Sequence, residues 1–181
     1  VSRARGTVEF PAGFILIAAM NPCPCGNHGS TEKECVCSPI HLKRYRDKIS
    51  GPIVDRIDIW LEVPRISHKT LSLTTALENT NSVRERVTLA RAKQAKRFEK
   101  HKRNIDTNSG MNARDIASLI KLDDSVTKTL NTSAEKLGLS GRAYHRVIKL
   151  ARTIADLDRA ENITEKHILE AIQYRPKQFI E

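Results

Sequence analysis

FILIAAMNPCPCGNHGSTEKECVCSPIHLKRYRDKISGPIVDRIDIWLEVP, residues 14–64, is the stretch from which the rest of the chain is read. It opens on an apolar run, residues 14–20, with the composition of a buried central strand. That run delivers a polar Asn21 to its tip, and in α/β sheets ligands gather at the carboxyl ends of the strands. Two cysteine pairs follow. A turn and a short helix-like Gly51-Pro-Ile-Val then lead to Arg56 within Asp-Arg-Ile-Asp, and residues 59–63 are expected to form a second strand. The order reads as the back half of a nucleotide-hydrolysing core, and no phosphate cradle accompanies it.

Around this stretch the chain divides by composition. Residues 1–64 carry β-branched segments, tight Pro and Gly turns and all four cysteines, and their first ten residues read as the interior of a β-hairpin. With no Met at position 1, the chain is expected to be part of a longer one. Beyond a Ser/Thr/Asn-rich connector, residues 67–80, helices are expected over 82–100, 112–122, 125–137, 140–157 and 164–174. Asn112, Ser140 and Thr164 can each accept from the free N–H groups of a first helical turn. Ala143, Val147, Leu150, Ala151 and Ile154 recur at helical spacing and form one apolar face. The expected fold class is therefore α/β, the end of a core sheet with a four-cysteine insertion (residues 21–38 within 1–66), followed by an all-α lid over residues 81–181.

At 181 residues the chain can bury one good core or two small ones, and 39% hydrophobic with 29% charged residues is the composition of a soluble globular protein. Its 31 Lys+Arg against 21 Asp+Glu give a net charge of +10, which favours nucleic acid or nucleotide phosphates as partners. An anionic membrane is the weaker alternative and is not the expected partner; no spanning helix is expected, because the longest apolar run, residues 14–20, is far short of the roughly 20 residues one needs.

Cys23-Pro-Cys25 and Cys35-Val-Cys37 form the sharpest local constellation. Four thiolates can close a tetrahedral zinc shell, and short turns bring them together at little loop-closure cost. Cys-x-Cys is nevertheless an unusual spacing for zinc, so labile disulfides and unmetallated thiols stay open as alternatives. His28 and His41 are substitutes for one ligand or simply solvated side chains. Clustered cysteines in a basic chain point to a reducing compartment, and a cytoplasmic protein is expected.

Three polar features have both a bland and a functional reading. Asn21 either faces a γ-phosphate and its attacking water or opens an Asx-turn before Pro22. Arg56 either reaches a neighbouring subunit's γ-phosphate, which its planar, always-charged fork suits, or pairs locally with Asp55 or Asp58. Residues 84–103 hold nine Lys/Arg and two acids, which make either a solvated face or a nucleic-acid contact. Aromatics are only 4% of the chain, and none is paired to stack bases, so a single-strand stacking platform is disfavoured.

The runs RARGTVEFPAGFILIAAMNPCPCG, SGPIVDRIDIWLEVP, LGLSGRAYHRVIKLARTIADL and HILEAIQYR together resemble the carboxyl-terminal half of the Mg-chelatase-like AAA+ ATPases of the ComM/YifB group, in the family's order and over nearly the whole chain. The resemblance implies that Asn21 is the sensor-1 residue, Arg56 the arginine finger acting on the next subunit's ATP, and Arg142 the sensor-2 arginine of the helical lid. It places Arg3 and Arg5 on a hairpin directed at DNA. It also implies ATP with Mg²⁺ between subunits of a homo-oligomer, expected to be a hexamer, and branched or single-stranded DNA as partner. In that family the P-loop, Gly-x-x-x-x-Gly-Lys-Ser/Thr, and a metal-holding acidic motif lie upstream of the part matched here, so the chain alone is expected to hydrolyse no ATP. The parent activity implied is an ATP-driven DNA motor promoting branch migration during natural transformation. A zinc-stabilised basic binding module without turnover and a chelatase-like ATPase are the alternatives.

Overall fold

The computed structural model describes residues 2–3, 6–10, 13–30, 32–63 and 78–176. It divides into two compact units, Val1–Asp47 and Lys48–Glu181.

In the first unit the expected hairpin forms. β1 (Ser2–Arg3) pairs antiparallel with β2 (Gly6–Thr7), in register Ser2 to Thr7 and Arg3 to Gly6. Helix α1 (Pro39–Arg46), which no sequence expectation covered, starts where Ser38 accepts from His41 N–H and Pro39 supplies a preset first turn. Lys43, Arg44 and Arg46 lie in its last turn, where positive charge complements the helix dipole.

The strands expected at residues 14–20 and 59–63 do not appear among the described residues, where β1 and β2 make the one sheet. The reason lies in what a central strand is. Its backbone groups and both its faces need neighbours, and no described segment pairs with residues 14–20, so Ile15 and Ile17 stay 84% and 90% exposed. In residues 59–63 the Trp60 N–H donates to Tyr174 O at the end of a helix, at 2.9 Å. The helical half of the expected fold class thus stands in the structure, and the sheet end does not appear in it.

The second unit is helical. Among the described residues, helix α2 (Gly51–Val54) is followed by α3 (Thr80–Lys100), a 3₁₀ turn (Asn108–Gly110), α4 (Ala113–Leu119), α5 (Asp124–Lys136), α6 (Gly141–Leu157) and α7 (Glu165–Gln173). Two of the expected capping residues act as side-chain caps: Asn112 and Asp115 form a reciprocal capping box, and Ser140 Oγ accepts from Ala143 N–H at 3.1 Å. At Thr164 the bond runs the other way, from its N–H to His167 Nδ1 at 2.9 Å. Leu130, Val147, Ala151, Ile163, Ile168 and Ala171 fill the core between α5, α6 and α7.

Three helices stop in the same way. After α5, Leu139 N–H returns to Ala134 O and Gly138 N–H to Glu135 O, with Gly138 at φ +56°. The same pair of bonds ends α3 and α6, where Lys102 (φ 51°) and Arg159 (φ 60°) hold the left-handed position that glycine fills best.

A buried ionic cluster fastens α3 to α6. Asp156, with no exposed side-chain surface, takes Arg97 through both oxygens (3.0 and 2.5 Å), Arg152 at 3.1 Å and the Asn108 amide at 2.9 Å. Arg152 also donates to Glu161 O and Ala160 O, which closes the loop after α6.

Candidate functional site

The cysteine cluster is built from two turns. Pro24 presets the first, in which Gly26 N–H donates to Cys23 O at 3.0 Å. Gly26 itself sits at φ +79°, which glycine adopts without a Cβ penalty. The second turn closes from Ser30 N–H to Asn27 O, also at 3.0 Å. Between them the His28 N–H is aimed at Cys23 Sγ, 3.3 Å away. Cys35 and Cys37 approach from the segment that runs into Ser38 and α1.

All four sulfurs lie within 4.8 Å of one another, with Cys23 to Cys25 at 3.3 Å, Cys23 to Cys35 at 3.7 Å and Cys25 to Cys35 at 3.6 Å. A zinc ion with ordinary Zn–S bonds spaces its four sulfurs about 3.8 Å apart. The four thiols are free, so their spacing and chemistry can hold such a metal. The cluster contains no imidazole: His28 contributes its backbone N–H, and His41 gives its N–H to Ser38.

The thiols differ in acidity. The Asn27 backbone N–H, helped by the Cys23 thiol, brings Cys25 down to about 6. Cys37 is drawn down by the Cys25 backbone, but desolvation and the three other thiols outweigh this and push it up to about 12. Cys35 is drawn down by the Cys37 backbone and thiol, but desolvation and the Cys25 and Cys23 thiols outweigh this and raise it. One thiolate forms easily and the next is opposed by the first, so a full set of four calls for a cation at its centre.

Asn21, two residues before this cluster, is exposed, and its carbonyl accepts from the Tyr45 hydroxyl of α1 at 3.0 Å. Arg3 is exposed on β1, and Arg5 lies outside the described residues.

In the second unit, Arg56 directly follows α2 and its Asp55 cap. Its guanidinium donates to Pro52 O at 2.8 Å, and the side chain is exposed. The two acids beside it engage other residues. Asp55 accepts from Ser140 Oγ at 2.8 Å and faces Arg175 at 3.8 Å, while Arg175 also donates to Ile57 O at 3.0 Å. Asp58 is bound by Arg146 of α6. Sequence reasoning missed Ser140, Arg146 and Arg175 as partners of this turn, since they stand 85 or more residues away. The turn is clamped to the start of α6 and the end of α7, with Arg56 left at the surface.

Arg142, also exposed, stands in the first turn of α6. With His145, Arg146 and Lys149 it lines an open groove of about 310 Å³ floored by Met111 and Ile116. Positions i, i+3, i+4 and i+7 share a helix face, so the groove is a cationic stripe. Desolvation, and then the nearby Arg146 charge, lower the Lys149 pKa, as expected where positive charge is crowded.

The basic helix α3 spends two of its charges inside the fold, where Arg97 is bound to Asp156 and Lys93 donates to Ala160 O at 2.5 Å. Arg86 pairs with Glu78 at 2.9 Å on the surface. Just beyond its end, Arg103 pairs with Asp115 at 2.7 Å. Arg84, Arg91, Lys96 and Lys100 are exposed. No described helix is long and apolar enough to cross a membrane.

By its sequence the chain is of a chelatase-like ATPase class. The chain belongs to the family of magnesium chelatase subunit ChlI: residues 77–175 match its C-terminal part and residues 1–71 match subunit ChlI itself. Among curated relatives, competence protein ComM of Haemophilus influenzae is 40% identical over 176 residues, 97% of this chain and 33% of that protein. The uncharacterized protein YifB of Escherichia coli is 38% identical over the same shares, and the uncharacterized protein Mb2921c of Mycobacterium bovis is 31% identical over 87% of this chain and 30% of its own length. The chain therefore spans about a third of the length of these relatives.

Proposed function

We propose that the complete protein is a cytoplasmic, hexameric, ATP-driven DNA motor that promotes branch migration of recombination intermediates in natural transformation, and that this chain supplies its sensors and lid. Residues 1–66 serve as the end of the ATPase core, 67–80 as connector and 81–181 as lid. Asn21 orients the hydrolytic water, Arg56 acts on a neighbouring subunit's ATP and Arg142 contacts nucleotide from the lid. Arg3 and Arg5 meet DNA. ATP with Mg²⁺ supplies the phosphoryl chemistry when bound. Zinc held by Cys23, Cys25, Cys35 and Cys37 fixes the loop before α1.

The observation that carries this reading is the state of Arg56. Asp55 and Asp58 are occupied by Ser140, Arg175 and Arg146, and the Arg56 guanidinium rests on a backbone carbonyl at the surface. A charged fork held on a clamped turn, with no carboxylate bound among the described residues, suits an incoming phosphate. Kinship with a relative named as a competence protein supports the DNA role.

The test is ATP hydrolysis by the complete protein with and without a four-way DNA junction. Strong stimulation is expected. Turnover indifferent to DNA would shift the reading to a chelatase-like ATPase. The four-cysteine cluster and the +10 charge favour a second reading, a zinc-stabilised module that binds DNA or a protein without turnover, and complete absence of hydrolysis would select it. Within the motor, Arg56→Ala is expected to lower turnover by about 10³-fold or more.

A further inference from the structure

We infer that Asp58 and Arg146 are positioning residues that tie Arg56 to the helix bearing Arg142, so that a nucleotide contact at one arginine is felt at the other. The inference rests on the proposed roles of those two arginines and adds a route between them. Both acids that flank Arg56 in sequence reach the lid. Asp55 accepts from Ser140, the residue whose hydroxyl caps α6 one position before Gly141 and two before Arg142. Asp58 is bound by Arg146, one helical turn further along α6. Arg175 completes the clamp from beyond α7, through Asp55 and the Ile57 carbonyl.

The geometry turns residues 55–58 into a bracket. Ile57 O, Asp55 and Asp58 are each fixed to the lid, and Arg56 is the side chain of that bracket that is not. The first turn and a half of α6 cannot shift along its axis without pulling Asp55 through Ser140 and Asp58 through Arg146. Any such shift re-aims Arg56. The two contacts also differ in kind. The Ser140 bond doubles as a helix cap, so its loss weakens α6 itself. The Asp58 to Arg146 pair is partly solvent-exposed, with Asp58 more than half exposed, so it can be removed without opening the core. That makes it the place to interrogate the route.

The experiment is a double-mutant cycle on ATP hydrolysis by the complete protein. Asp58→Asn and Arg146→Gln are each expected to lower kcat by about 3- to 30-fold, the range of coupling carried by such networks. The ATP KM of Asp58→Asn should stay within about twofold, because Asp58 touches no nucleotide. In the Arg56→Ala background the same Asp58→Asn change should cost nothing further, since a positioning residue has no effect once the group it positions is gone. The charge exchange Asp58→Arg with Arg146→Asp should recover part of the lost kcat. Urea midpoints of the single variants should match the parent, which separates positioning from unfolding. If Arg56→Ala silences turnover while Asp58→Asn and Arg146→Gln leave kcat intact, the positioning route is wrong and the finger assignment stands. Full additivity of Asp58→Asn with Arg56→Ala also overturns the route. If Arg56→Ala itself leaves turnover intact, the assignment of Arg56 falls first.

Discussion

Asp156→Ala is the most demanding test of the packing described above. The carboxylate has no exposed side-chain surface and is the common acceptor for Arg97, Arg152 and Asn108. Its removal leaves two guanidinium groups side by side, one of them, on Arg152, only 6% exposed. Desolvation already lowers the Arg152 pKa, and the Asp156 charge is what opposes that pull. Breaking a buried pair by deleting one partner typically costs about 3–5 kcal/mol, because the surviving charge has no compensation. Repulsion between Arg97 and Arg152 adds to this, and water entering beside Arg97, whose side chain is 15% exposed, subtracts from it. A loss of about 3–4 kcal/mol is therefore expected, roughly a third or more of the stability of an ordinary domain. Equilibrium urea unfolding followed by far-ultraviolet circular dichroism measures it. The midpoint should fall steeply with little change in slope. Removing both guanidinium groups as well, in Asp156→Leu with Arg97→Met and Arg152→Met, should recover much of the loss. A single-variant cost below about 1 kcal/mol would refute the claim that this cluster fastens α3 to α6.

The remaining predictions are more local. Cys35→Ser should release the proposed zinc and loosen residues 23–37, seen as lost metal in elemental analysis and faster amide exchange there; untouched protein prepared without chelators that contains no zinc would end that reading. Asp115 is held below the usual carboxylate range, first by the Asn112 N–H and then by Arg103. Its contribution is therefore fully present above about pH 4 and is lost as pH falls through the depressed folded value. Acid titration of the parent and Asp115→Asn should show their stabilities converging at low pH and diverging above it. Arg159→Gly should stabilise the chain by about 0.5–1 kcal/mol, since φ is 60° there and glycine removes the left-handed penalty while leaving the Ala160 to Ala155 bond in place. A lower urea midpoint for that variant would show that the Arg159 side chain contributes more than its backbone costs.

Much of the lid could be read in advance because its signals are local. Ser140 before a periodic apolar face, Asn112 three residues before Asp115, and Thr164 ahead of Ile168 mark helix starts within a single turn, and the observed α4, α6 and α7 begin there. The sequence reading missed α1, although Ser38-Pro39 offered a cap and a first-turn proline. The apolar run at residues 14–20 shows the opposite failure. Its composition specifies what a strand should contain, but pairing is a property of neighbours, and no described segment pairs with it. The Asp-Arg-Ile-Asp turn was legible as a turn and illegible in its bonding. Local spacing suggested Asp55 or Asp58 as partners for Arg56, whereas the fold gives both acids to residues far along the chain. Long-range ion pairs such as Arg97 with Asp156, 59 residues apart, carry no local signature at all.

The Tyr45 to Asn21 bond has a consequence for the cysteine loop that lies inside it. Formed alone, that bond would close a loop of 24 residues. Once the cysteines are held together, Cys23 and Cys37 are pinned and the path between the hydroxyl and the carbonyl shrinks to about ten residues. Loop-closure entropy then falls by about 0.8 kcal/mol, roughly a fourfold rise in the effective concentration of one group at the other. The relation is reciprocal, so a Tyr45→Phe chain should gather its four sulfurs around a metal more weakly by the same factor. The two closures act as nested clasps, and whatever loosens the inner one lowers the occupancy of the outer, which anchors the Asn21 backbone.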